Sequence, residues 1–304
     1  MLRRVPPRQA TRGWPMHDVP TTLGMTTESA TRASPLALVQ PLDQAHGLRQ
    51  LFSGHRVRFV PVVSNPHIGF GGLMLERLCS AFGSHGARTL VVDAGERAAK
   101  ADAAVLVDLA GAIEHLSPQV AYLCARGLPA RCIDAEGFTS AFLDMIVDAT
   151  GEIDVVLVHA PAADLCRLFS RHDPRHAAQR EGVPLLLCDD RPSSVTHAYG
   201  ALKLLAQRAA LLVHDVLLGA TAVSPRAARI ADQLASCAEL YLHATVRQAL
   251  RIDPTAQANK PVPSELRRWA QQWLNRPGVT AAARPLLGRS AGASASAVLR
   301  PTLN

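Results

Sequence analysis

Residues 62–78 read VVSNPHIGFGGLMLERL. An apolar run passes through a glycine-rich turn into an amphipathic pattern, the strand, loop and helix order of a phosphate-binding loop. Such a loop works by turning backbone N–H groups toward phosphate, with a lysine to neutralise the charge and a hydroxyl to hold magnesium. Gly69, Gly71 and Gly72 meet the first need, but the stretch contains no lysine and no hydroxyl follows its glycines. Free amides at a helix N-terminus still attract an anion. Phosphoryl transfer, which depends on stabilising charge, loses its main sources. The expectation is a surviving fold element and a lost reaction.

Other reactive side chains are thinly spread. Ser64, His159 and Asp189 each end or follow an apolar run and could supply a serine hydrolase. Ser64 lies in VVSNP, however, with no G-x-S-x-G turn around it. His159 has no second His or Cys at zinc-ligand spacing, so it reads as a satisfied histidine at a strand end. Asp93 reads equally as a functional carboxylate or as a cap on the turn after its strand. Cysteines 79, 124, 132, 166, 188 and 237 show no CxxC and no paired Cys/His spacing. They read as small apolar residues of a reducing compartment. No metal site is expected.

The elements that must position these residues alternate. Short apolar runs at 57–63, 89–93, 130–134, 154–160, 183–189 and 210–218 are continuous rather than alternating, which implies strands buried on both faces of a parallel sheet. Helical patterns fall between them at about 70–83, 138–149, 162–171, 194–208 and 225–238. The fold class expected is α/β, a three-layer parallel sheet flanked by helices. A ligand would then sit at the carboxyl ends of the strands, beside the glycine loop. A further segment, PSELRRWAQQWL at 263–274, gathers Leu266, Trp269, Ala270, Trp273 and Leu274 on one stripe. It is expected to pack on the core rather than lie on a membrane, with Ser264 as its N-cap.

Composition sets the outer limits. A chain of 304 residues with 48% hydrophobic content can fill one core of domain size. Its formal charge of +7 comes from arginines spread along the chain and in both tails, and with 4% aromatic content it does not suggest nucleic-acid binding. No leader pattern and no eighteen-residue apolar run is present, so a soluble, cytoplasmic protein is expected. Residues 1–38 and 276–304 are polar, low in apolar periodicity and expected to be disordered. They flank a helix with linker at 39–54 and a main domain at 55–275.

Three stretches carry a resemblance. LDQAHGLRQLF (42–52) precedes the first strand; the strand, loop and helix of 57–83 are followed by GARTLVVDA (86–94); and DDRPSSVTHAYGALKLL spans 189–205. Together they resemble the MinD/ParA-like deviant Walker ATPases, and within them the FlhG (FleN) branch of flagellar-number regulators. The first is similar to that branch's DQAxxLR activator helix and the last to its EPTSITDAYALIKLL segment, with Pro192, Ser194, Thr196, Ala198, Tyr199, Leu202 and Lys203 on matching positions.

The resemblance implies a P-loop NTPase-like fold of MinD/ParA type and also shows what has changed. Against the family's KGGVGKT, this chain reads PHIGFGG. Pro66 falls at the signature lysine, Gly71 at the loop lysine and Gly72 at the magnesium threonine. His159 falls where the second metal motif carries Asp, while Asp93 keeps the position that opens the switch segment. His214 and Asp215 fall where the family often has a base-contacting Asn. A pseudo-ATPase without cofactor is implied, with Mg-ATP only under the alternative of a working dimerising switch.

The implied partner is the GTPase FlhF, stimulated through Asp43, Gln44, Ala45, Leu48 and Arg49. Leu42, Ala45, Leu48 and Leu51 or Phe52 recur at helical spacing, and Asp43 near the start favours the helix dipole. Flagellar switch proteins or a flagellar transcriptional activator are further implied partners. Recruitment to the cell pole is also implied, with membrane contact weak or indirect.

Overall fold

In the computed structural model the described residues are 56–173, 182–221, 223–256 and 260–280. They form a sheet with helices on both faces. In chain order the elements are β1 (Arg56–Val63), α1 (Gly71–Gly83), β2 (Thr89–Asp93), β3 (Glu114–Ser117), β4 (Val120–Cys124), α2 (Ala141–Ala149), β5 (Val155–Ala160) and α3 (Ala162–Leu168). There follow β6 (Leu185–Asp189), α4 (Pro192–Ala209), β7 (Val213–Gly219), α5 (Pro225–Leu242), β8 (Thr245–Ile252), α6 (Ser264–Leu274) and β9 (Val279–Thr280).

Strands lie in the order β3-β4-β2-β5-β1-β6-β7-β8. Every neighbouring pair on this path is parallel except the β3–β4 hairpin, and β9 adds antiparallel to the start of β1. The three-layer parallel architecture expected from the continuous apolar runs is therefore present. β5, β6 and β7 are buried along nearly their whole length because helices cover both faces. Val57, Phe59 and Val63 of β1 join the core beneath α2 to α5, while Val60 and Val62 join the core beneath α1 and α6. This is the period-two alternation of a strand with two buried faces.

Two sequence expectations are corrected. The run at 130–134 is not a strand: Pro129–Cys132 forms a 3-10 turn after Gly127, whose φ is +85°. The outer edge of β2 pairs instead with β4, whose mixed VAYLC sequence lacks a continuous apolar signature. Ser264 does not cap α6 but begins it; Pro263 holds the N-cap position, and no side-chain cap bond forms. The chain also continues in regular structure past 275, since Val279 and Thr280 pair with Val57 and Arg56.

The α6 stripe packs inward. Trp269 and Trp273 are fully buried, with ring centroids 5.7 Å apart for Phe82 and Trp269 and 5.9 Å apart for Trp269 and Trp273. No helix among the described residues is long and apolar enough to cross a membrane.

Candidate functional site

Chain order reverses at β1. The chain leaves it leftward through α1 toward β2, while β5 on its left connects through α3 to β6 on its right. In an open α/β sheet such a reversal opens a crevice beyond the carboxyl ends of the strands. A cleft of about 380 Å³ lies there. Its walls bring together every residue of the proposed degenerate site: Ser64, Pro66, Gly69, Gly71, Gly72, Asp93 and His159.

The loop after β1 is held by its own chain. Asn65 donates through Nδ2 to the Leu187 carbonyl on β6 and to the carbonyl and Oγ of Ser194 on α4, each at 3.0 Å. Its Oδ1 accepts the His67 N–H at 3.1 Å. Arg97 closes the loop from the other side, donating through Nη2 to the Pro66 carbonyl at 2.6 Å and through Nη1 to the Ile68 carbonyl at 2.9 Å. Ser64 Oγ donates to Glu96 Oε2 at 2.5 Å. The segment after β2 is thus stitched to the loop after β1 by three side-chain hydrogen bonds.

Asp93 and His159 form the centre. They are register partners on the neighbouring strands β2 and β5, and His159 Nδ1 lies 2.8 Å from Asp93 Oδ1. The Gly95 N–H and the Tyr122 hydroxyl also donate to the carboxylate, at 3.0 and 3.2 Å. Burial would raise the Asp93 pKa, but the His159 hydrogen bond and charge, with these two donors, hold it below the usual carboxylate value. Burial and the adjacent Asp93 push the Tyr122 phenol well above its ordinary value. Gly95 has a specific steric task, because a Cβ there would lie 2.8 Å from the imidazole Cε1. The expectation of a satisfied histidine at a strand end holds, and its partner is Asp93.

Ser64, His159 and Asp189 do not form a triad. Ser64 bonds Glu96, His159 bonds Asp93, and Asp189 pairs with Arg191 of its own turn at 2.6 Å. Among the described residues no three His, Cys, Asp or Glu side chains are placed to hold a metal ion. Burial raises the thiols of Cys166 and Cys188 to about 11 and Cys79 to about 12, so these cysteines are unreactive.

The cleft lining holds no lysine and no threonine, the groups by which a phosphate loop holds phosphate and magnesium. The two positions that the resemblance aligns with magnesium ligands hold Gly72, which has no side chain, and His159, whose Nδ1 is engaged by Asp93. The charged groups of the lining are Asp93 and Glu96 with Arg97 beside them. At the far end, the Phe70 ring lies so close over Gly219, the last residue of β7, that a Cβ there would come within 2.2 Å of it. His214 and Asp215 stand at the start of β7, the edge opposite the cleft, and reach no ligand bound there.

Arg97, Glu96, Tyr122, Gly95 and Phe70 escaped the sequence reading. The charged pair in DAGERAA, immediately after a buried strand, was the available signal. The candidate partner-binding residues Asp43, Gln44, Ala45, Leu48 and Arg49 lie outside the described residues.

Arg97→Ala is expected to speed amide exchange across 66–72 about tenfold while costing no more than about 1 kcal/mol of global stability, since the guanidinium is exposed. Unchanged loop exchange would show that Asn65 alone holds the loop.

No family model and no curated protein matches the chain. Among solved structures it is similar to a ParA-family ATPase of Chlorobium tepidum, at 13% identity over 72% of this chain and 98% of that one, with a TM-score of 0.40. It is likewise similar to the cell-division protein MinD of Aquifex aeolicus, at 13% identity over 71% of this chain and 95% of that one, with a TM-score of 0.42.

Proposed function

We propose that this chain is a regulatory binding protein of MinD/ParA type, a pseudo-ATPase that stimulates the GTPase FlhF through its DQAHGLR segment and so tunes flagellar placement and number. The observation that carries the first half is the Asp93–His159 pair, with Arg97 on the loop carbonyls. A nucleotide-driven switch needs its loop and its switch segment to be joined by ligand and released without it. Here Arg97 joins them directly through the Pro66 and Ile68 carbonyls, and Glu96 through the Ser64 hydroxyl. The partner assignment rests on the residues at 42–52, with Gln44 as the side chain that positions water and phosphate at the partner's site. Flagellar switch proteins or a flagellar transcriptional activator are further proposed partners, reached at the cell pole.

One observation favours the alternative, an ATP-binding and ATP-hydrolysing dimerising switch. Gly69, Gly71 and Gly72 lie outside the left-handed φ region and have open space where a Cβ would stand, so nothing among the described residues requires glycine there. A closely approaching ligand would require it.

Two measurements separate the readings. GTP hydrolysis by purified FlhF should rise on adding the full chain, and the rise should disappear with Gln44→Ala; no stimulation by either form would remove FlhF as the partner. Millimolar Mg-ATP should leave the melting temperature unchanged. A saturable rise at micromolar ATP would restore the switch, because a ligand at 100 times its Kd stabilises the native state by about 2.7 kcal/mol.

A further inference from the structure

Among the described residues the two faces of the sheet are unequally covered, four helices lying on one and two, α1 and α6, on the other. Between α1 and the β4–β3 hairpin this leaves a groove of about 650 Å³, walled by Leu75, Cys79, Val91, Leu116, Val120 and Tyr122. Leu116 is 63% exposed at its lip. Glu76 and Asp93 line it, and no Lys, Arg or His does.

We infer that this groove is the docking site of the chain's own segment 44–52, QAHGLRQLF. The inference is independent of the partner's identity. Four features support this occupant. As a helix, the segment places Ala45, Leu48, Leu51 and Phe52 on one stripe, the apolar face the groove requires. Its nine residues would span about 13 Å, within the roughly 18 Å that α1 offers from Gly72 to Ser84. Its charge is complementary, since it holds Arg49 and His46 and no acid.

The tether also leads toward the groove. Residues 53–55 connect Phe52 to Arg56, and four residue steps reach about 13 Å. Arg58, Val155, Thr89 and Val120 are in register across β1, β5, β2 and β4, so the start of β1 lies at the same sheet edge as the Gln119 end of the groove. The near wall of the groove, Val91 on β2, is two strand spacings from β1, about 10 Å across the sheet. Docked there, the segment completes the thin layer and is withheld from any partner until a competing surface releases it.

The test uses hydrogen exchange on the full chain and on its Leu48→Asp/Leu51→Asp variant. Amides of 120–124 and 75–82 should exchange about tenfold faster in the variant, with 192–252 unchanged. In the converse variant, Leu116→Arg, tryptic cleavage after Arg49 should accelerate severalfold. Equal exchange in both chains would overturn the proposal. So would protection that fades on dilution, which would assign the groove to a second copy. Protection that survives the double substitution but is lost when 281–304 are removed would assign it to the C-terminal tail and equally overturn it.

Discussion

Replacing Asp215 by alanine is expected to destabilise the protein by about 3–5 kcal/mol, the usual cost of stripping one partner from a buried ion pair. The carboxylate is completely buried. It accepts Arg247 Nε at 3.0 Å and Nη2 at 2.5 Å, and Trp269 Nε1 at 2.8 Å. One side chain on β7 therefore ties the edge strand β8 and the covering helix α6. Its loss leaves the Arg247 side chain, only 29% exposed, without its counter-charge and the indole N–H without an acceptor. Asp215→Asn keeps an oxygen for Trp269 but breaks the fork to Arg247, so about 2 kcal/mol is expected. Urea unfolding followed by tryptophan fluorescence measures both. An alanine cost below about 1 kcal/mol would show that α6 is held by apolar packing alone.

The second large effect is a loss of stability in mild acid, carried by His214. Its ring is fully buried, and neither nitrogen has a hydrogen-bond partner among the described residues. Burial penalises the charged imidazolium and lowers the folded pKa to about 4, from the ordinary 6.5. The unfolded chain therefore takes up the proton first. The native state has its full stability above the unfolded value and loses it as pH falls from about 6.5 to about 4, by ~3 kcal/mol in all. Asp93, held below the ordinary carboxylate value, contributes in the same sense only at lower pH. His214→Leu removes the titrating group and should flatten the urea midpoint between pH 7 and 4.5. Parallel profiles for the two chains would place the acid sensitivity elsewhere.

These two residues show how far position in sequence misleads about role. Aligned by resemblance, His214 and Asp215 occupied a place associated with base contact; in the structure they are structural groups at the edge of the sheet remote from the cleft. The apolar run at 210–218 located the strand correctly, while the resemblance did not place these two residues at the end remote from the cleft.

Local patterning was sufficient for much of the rest. The continuous apolar runs of β1, β2, β5, β6 and β7 could be read because burial on both faces leaves little room for polar residues. The helices between them carried their own apolar stripes. β8 and the β3–β4 hairpin were missed for the complementary reason. They lie at sheet edges, and their partial exposure admits His, Arg, Gln and Tyr, which erases the continuous signal.

That the glycine loop holds no lysine, and no hydroxyl after its glycines, was visible in the one-dimensional sequence. The side chains that meet around it were not visible. Asp93 and His159 are 66 residues apart, and they meet because β2 and β5 are brought side by side in one parallel register. Arg97 and Glu96 reach the loop because the chain after β2 folds back over β1. Residue identity and periodicity decide which segments are buried, through the free energy of removing apolar surface from water. Which buried polar groups meet depends on strand order and crossover, and those are set by the packing of the whole sheet.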